Sequence, residues 1–142
     1  MFEKSCGTIP YTVRNGVIHY LLIRAKGHSC GFPKGHVEGN ESETQTAIRE
    51  TLEEASITPV IKTEFRYEVS YMLDNGNQKN VVYFLADFGD QAPCHNQGFE
   101  DFDYLILPFD RAYSELSFEN TRKMLRSAND YLIGREALGV RD

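Results

Sequence analysis

Three glutamates, Glu50, Glu53 and Glu54, stand at i, i+3 and i+4 near the end of one helical segment, and this triplet restricts the fold more than any other feature. At roughly 100° per residue, the three carboxylates project from one face within an arc of about 100°. So crowded, they repel one another, raise each other's proton affinity and weaken the helix unless positive charge sits among them. Two solutions are open. The face can be a solvated acidic one, with Arg49 and Glu53 forming an ordinary i, i+4 pair. Alternatively, a hard divalent cation can sit on it: magnesium and manganese take oxygen ligands and retain waters, which suits carboxylates with no cysteine or histidine beside them. The helix itself has clear limits. Ser42-x-x-Gln45 can close a capping box, the segment reaches about Ala55, and Pro59 disfavours continuation beyond Thr58.

Strand signals surround this helix. Residues 5–14 and 17–24 flank Asn15-Gly16, a dipeptide suited to the positive φ angles of a tight hairpin turn, and Val17, His19, Leu21 and Ile23 alternate onto one face of the second arm. Phe65, Tyr67, Val69 and Tyr71 recur with period two, and Asp74-Asn75-Gly76-Asn77 supplies turn chemistry before the β-rich run Val81-Val82-Tyr83-Phe84-Leu85, which predicts a second, longer hairpin. Thr121, Met124, Leu125, Ala128, Tyr131 and Leu132 repeat at helical spacing, so a C-terminal helix should pack one apolar face inward. A mid-chain helix, a terminal helix and hairpins of mixed character predict an α/β architecture, a sheet sandwiched by helices.

The 142 residues contain no internal repeat or long linker, and with 41% hydrophobic content they predict one domain, 1–142, able to bury its own core. The longest apolar run, residues 81–86, is far too short to span a membrane, and the start Met1-Phe2-Glu3-Lys4-Ser5 lacks the apolar stretch of a secretory signal. A cytoplasmic protein with no membrane partner is expected. The formal charge of −6 makes the whole-molecule field repel polyanions, which argues against a DNA-coating role. Cys6, Cys30 and Cys94 are odd in number and outside any C-x-x-C pattern, so reduced structural thiols are expected and not disulfides or zinc. His19, His28, His36 and His95 show no metal-ligand spacing either.

The context upstream of the triplet decides between its two readings. Gly35 is followed by Glu41 six residues on, by Arg49-Glu50 after seven more, then by Glu53-Glu54 and the aliphatic Ile57. Residues 35–57 thereby closely resemble the signature G-x5-E-x7-R-E-U-x-E-E-x-G-U of the Nudix hydrolases. Six fixed matches at set spacing arise by chance in a chain of this length with a probability on the order of 10⁻⁵. The chain departs from the pattern twice. Thr51 occupies the first aliphatic position and keeps a branched methyl; Ser56 stands where the pattern has glycine, at a turn that a residue with a Cβ adopts only at a cost.

This resemblance implies a Nudix-type α/β/α sandwich with a mixed β-sheet, and hydrolysis of a nucleoside diphosphate linked to another group. Carried over by position, it implies that Glu50, Glu53 and Glu54, with the Gly35 carbonyl, hold Mg²⁺, for which Mn²⁺ can substitute. It implies that Glu53, Glu54 and Glu100 are the catalytic carboxylates, and that Arg49 and Glu41 join loop and helix by an ion pair. The run Gly31-Phe32-Pro33-Lys34-Gly35-His36-Val37-Glu38 further resembles the diadenosine tetraphosphate hydrolase branch, which implies asymmetric cleavage to ATP and AMP. In that branch Lys34 and Lys79 would meet phosphate and Tyr83 would lie against adenine. A solvated lysine, a core-facing strand aromatic and a solvated acidic loop are the alternatives for Lys79, Tyr83 and Glu100 respectively. A 5′-triphosphate RNA end or a non-canonical nucleoside triphosphate is the rival substrate, and a non-catalytic nucleotide sensor the rival class. The partner implied is a small nucleotide; nothing in the residues points to a protein partner.

Overall fold

Asn15 and Gly16, with φ of 53° and 77°, turn the chain between β1 (Phe2–Arg14) and β2 (Val17–Ala25), the conformation that an Asn-Gly dipeptide adopts at low cost. The computed structural model describes residues 2–137. After β2 come two short strands, β3 (Cys30–Gly31) and β4 (Lys34–His36), then helix α1 (Glu43–Ala55). A second hairpin joins β5 (Val60–Met72) to β6 (Gln78–Asp87), followed by β7 (Phe102–Pro108), α2 (Phe109–Glu115) and α3 (Glu119–Ala137).

Seven strands form one mixed sheet. β1 is its hub. It runs parallel to β6 from Phe2↔Gln78 to Tyr11↔Asp87, pairs antiparallel with β4 over residues 5–7, and pairs antiparallel with β2 over residues 11–14. β2 continues outward to β3 and β7, and β5 closes the far side against β6. Helix α1 covers one face, where Ala47 packs on Cys6, Val82 and Phe84, and Ala55 and Ile57 pack on Leu21 and Phe88. On the other face Met124, Leu125, Ala128 and Leu132 of α3 pack over Tyr20, Leu22, Val81, Tyr83 and Leu85. The expected α/β/α layering is the observed one.

The alternation of β2 is present, and both of its faces are covered: residues 20–23 are buried without a break. Tyr20 and Leu22 face α3 while Leu21 faces the α1 side, because β2 lies inside a sheet covered on both sides. The short elements β3, β4 and α2 carry too few residues for a periodic signal and are additions to the expected set.

Helix α1 begins as its sequence demands. Ser42 Oγ accepts from the Gln45 N–H and the Gln45 side chain accepts from the Ser42 N–H, which closes the capping box. It ends on Ser56 in the left-handed region, with φ 57° and ψ 33°. The chain thus keeps the turn that the glycine of the pattern would make, with a residue strained by its Cβ. Ser56→Gly should therefore raise stability by about 0.5–1 kcal/mol, relief of the left-handed strain exceeding glycine's extra unfolded-state entropy. Chemical denaturation reads this directly, and a lower midpoint for the glycine variant would contradict it.

Candidate active site

The site is built where α1 meets β4. Glu41 in the loop before the helix accepts from Arg49 at 2.7 and 3.0 Å and from the hydroxyl of Thr46 at 2.9 Å. Arg49 also donates to the His36 carbonyl at 2.9 Å, so one guanidinium ties the 36–41 loop to the helix. These bonds hold the Glu41 carboxyl well below the usual range, at about 2, with the Arg49 hydrogen bond the largest cause. The Arg49–Glu41 pair implied by the resemblance is present, and Arg49 does more: its Nη1 donates to Glu50 at 2.8 Å and to Glu53 at 3.3 Å. The positive charge required among the carboxylates is, within the chain itself, Arg49.

Glu54 is held differently. Its Oε1 accepts from the Lys34 backbone N–H at 3.0 Å, and burial pushes its carboxyl up to about 7, with the Lys34 N–H opposing and Glu50 and Glu100 adding smaller repulsions. Burial likewise raises the Glu50 carboxyl, against the pull of Arg49. Glu50 lies against the backbone of Gly35: a Cβ placed there would sit 2.1 Å from its carboxyl carbon. Glycine is needed at position 35 because the carboxylate occupies the space of a side chain. Among the described residues no three carboxylate, histidine or cysteine side chains converge on one point, since Arg49 holds Glu50 and Glu53 while Lys34 holds Glu54. The donors nonetheless fit a hard divalent ion. All are oxygens, the Gly35 backbone and the Glu50 carboxylate are already in contact, and Glu53 shares with Glu50 a single cationic partner that a metal would replace.

Lys34 joins this helix to a cleft of about 470 Å³ on the opposite side of β4, lined by Cys30, Phe32, Val69, Tyr71 and Tyr83 among others. The Lys34 ammonium lies beside that of Lys79, and burial together with that like charge lowers its proton affinity. Tyr83 is buried, packs edge-on against Phe32 with ring centroids 6.2 Å apart, and has its phenol raised by burial. It is both a core aromatic and part of the cleft wall. Three predicted residues, Lys34, Lys79 and Tyr83, therefore gather at one place. Glu100 stays exposed in the loop before β7, from where its charge adds a small repulsion at Glu54. Val69 and Tyr71 are read from the sequence as strand residues and not as site residues. Their period-two spacing with Phe65 and Tyr67 carries the signal, but only the β5–β6 register, Val69↔Val81 and Tyr71↔Lys79, places them at this cleft.

Thr51 shows why an aliphatic residue is dispensable at its position. Its hydroxyl donates to the Ala47 carbonyl at 2.8 Å and so accepts from Thr8 Oγ1 at 2.7 Å, leaving no polar atom of the buried pair unpaired.

Residues 7–127 match the NUDIX domain family model. The bis(5′-nucleosyl)-tetraphosphatase (asymmetrical) of Sus scrofa is 33% identical over 148 aligned positions, covering 96% of this chain and all of that protein. The crystal structure of a Caenorhabditis elegans Ap4A hydrolase binary complex superposes with a TM-score of 0.84 at 30% identity, covering 93% of this chain and 98% of that one. An 8-oxo-(d)GTP phosphatase of Mycolicibacterium smegmatis is 33% identical over 120 positions, which span 82% of this chain and 34% of that protein. None of the described helices is long and apolar enough to cross a membrane.

Proposed function

The chain belongs to the Nudix family and is a Nudix hydrolase, and we propose that its reaction is the asymmetric hydrolysis of diadenosine tetraphosphate to ATP and AMP. The observation that carries this reading is the double engagement of Lys34. Its backbone N–H fixes Glu54 on the carboxylate helix, while its ammonium meets Lys79 at a cleft of nucleoside size. Two like charges side by side, one of them partly buried, are unfavourable alone and become favourable around a polyanion. A polyphosphate laid from the cleft toward α1 would meet the two lysines first and the glutamates next. Similarity over nearly the full length to asymmetrical tetraphosphatases supports this substrate class.

In this reading a divalent ion, Mg²⁺ or Mn²⁺, is held by Glu50, Glu53, Glu54 and the Gly35 carbonyl. When bound, such an ion acidifies water and offsets charge on the phosphate chain. The chain's own residues do the rest. Arg49 orders the loop and two of the carboxylates, Lys34 and Lys79 stabilise charge developing on the phosphoryl oxygens, and Tyr83 with Phe32 offers an apolar wall to a base. Glu53, Glu54 and Glu100 are the candidates to accept the proton of the attacking water, with Glu54 already fixed beside Lys34. Cytoplasmic location and a single domain remain part of the proposal.

Products resolved by chromatography test the reading on a panel of diadenosine tetraphosphate, 8-oxo-dGTP and 5′-triphosphate RNA, each with Mg²⁺, with Mn²⁺ and after chelation. ATP and AMP from the first substrate, at the highest kcat/KM and only with metal, is the expected result. Preference for 8-oxo-dGTP would favour the rival suggested by the mycobacterial phosphatase. Lys34→Ala should cost roughly 10- to 10³-fold in kcat/KM on the best substrate, with no loss of stability, since removing one of two adjacent ammoniums relieves repulsion. An unchanged kcat/KM would make Lys34 an ordinary surface cation.

A further inference from the structure

Ser5 is 1% exposed, and its hydroxyl is a buried side-chain polar atom with no hydrogen-bond partner. Such a group is costly: an unpaired buried hydroxyl loses its water and gains nothing. On the opposite face of β1, Thr8 and Thr51, equally buried, pair their hydroxyls completely.

The register shows what surrounds Ser5. On β1 it lies between His36 of β4 and Val81 of β6. One pleat away on the same face, Gly7 lies between Lys34 and Tyr83; one pleat the other way, Glu3 lies beside Lys79, which pairs in turn with Tyr71. Side chains at paired positions share a face, so Ser5, Lys34, His36 and Lys79 all belong to the cleft side of the sheet, opposite α1. Three groups able to carry positive charge, with the Glu3 carboxylate between two of them, thus share a face with one unpartnered hydroxyl. Position 7 between them is glycine because a Cβ there would lie 2.1 Å from the Pro33 carbonyl oxygen, which draws β4 and its Lys34 tightly against β1. The rim is closed by a weak pair, His36 Nε2 to Glu3 Oε1 at 3.7 Å.

We propose that Ser5 is a phosphate-binding residue of this site: its hydroxyl donates a hydrogen bond, with at most one water between, to a non-bridging oxygen of the polyphosphate held by Lys34 and Lys79. This rests on the cleft being a polyphosphate site and adds to it a neutral donor on the same sheet face as the two lysines. A donor there is useful where a third lysine is not, because another ammonium would add to the repulsion between the two present, whereas a hydroxyl adds none. An orphaned hydroxyl is tolerated in the free protein because the ligand repairs it, as expected of a group placed for binding and not for stability.

The test uses Ser5→Ala, nearly isosteric, with tripolyphosphate as probe in the absence of divalent metal, read by thermal shift and titration calorimetry. Wild type should be stabilised by tripolyphosphate, and Ser5→Ala should bind it about tenfold more weakly, as for one hydrogen bond to a charged group. The unliganded variant should melt at the same temperature or higher. Equal affinity of the two proteins overturns the proposal, as does failure of wild type to bind the probe. A lower melting temperature for unliganded Ser5→Ala also overturns it, since the hydroxyl would then have a structural partner. A Ser5-dependent affinity in a protein that cleaves no dinucleoside polyphosphate would leave this proposal standing and the substrate assignment refuted. Cleavage of diadenosine tetraphosphate with Ser5-independent affinity would do the reverse.

Discussion

Glu54→Gln should lower kcat by at least about 10²-fold while leaving metal-free protein as stable as wild type or more so. The activity loss follows from removing one charge of the metal cluster, whose activation of water supplies several kcal/mol. The stability gain follows from burial. The glutamine Oε1 can still accept from the Lys34 N–H, and the carboxyl it replaces is pushed up to about 7, mainly by desolvation. A carboxyl raised above its unfolded value of 4.5 favours folding in its protonated form. Metal-free wild type therefore loses stability at this residue as pH rises from about 4.5 through 7, by on the order of 3 kcal/mol at most, and the glutamine variant lacks this contribution. The two stability curves should converge below pH 4.5 and separate toward pH 7. Metal binding should offset the wild-type loss and stabilise the variant less. Glu53→Gln should show a similar fall in kcat with a smaller stability change, because its partner Arg49 keeps its shorter bonds to Glu41 and Glu50. A variant that unfolds readily yet keeps its activity per folded molecule would make the triplet a scaffold.

What could be read from the sequence was local. The Ser42–Gln45 capping box, the Asn15-Gly16 turn and the α3 stripe from Met124 to Leu132 depend on neighbours a few residues apart, and all three appear in the structure. What local spacing alone does not give is set by pairing across the chain. Lys34 and Lys79 are 45 positions apart, and they meet only because β1 takes β4 on one side and runs parallel to β6 on the other. A parallel pairing leaves no turn signal, since its connection is long. Thr51 looked like a weakened aliphatic residue because its partner, Thr8, is 43 positions away. The glutamate triplet was placed correctly on one helix, yet its members split between two partners, Arg49 for Glu50 and Glu53 and the Lys34 backbone for Glu54. Helical spacing fixes which face a side chain leaves from, and the surrounding loop fixes where it arrives.

That dependence on the loop makes Gly35→Ala the most selective lesion available. The added methyl would lie 2.1–2.3 Å from the Glu50 carboxyl atoms, well inside any tolerable contact, so one of the two must move. The carboxylate is the far end of a flexible side chain and yields, while the backbone of β4, paired to β1 over residues 5–7, stays. Position 35 has an ordinary negative φ, so alanine brings no left-handed strain and removes some unfolded-state entropy. Folding should therefore survive with a change of about 1 kcal/mol or less, and Glu50 should be displaced from both the Gly35 backbone and Arg49. If Glu50 and the Gly35 carbonyl hold the metal together, moving Glu50 away from a carbonyl that stays in place breaks the pair. The expected result is a loss of about 10²-fold or more in kcat, with weakened stabilisation by Mg²⁺ in a thermal shift assay. Arg49→Lys separates this from a general loosening of the loop: it keeps a charge but loses the fork that reaches Glu41, Glu50 and the His36 carbonyl, so it should cost stability as well as rate. Wild-type activity and metal response in a folded Gly35→Ala protein would show that Glu50 works from another position, and would remove Gly35 and Glu50 from the proposed ligand set.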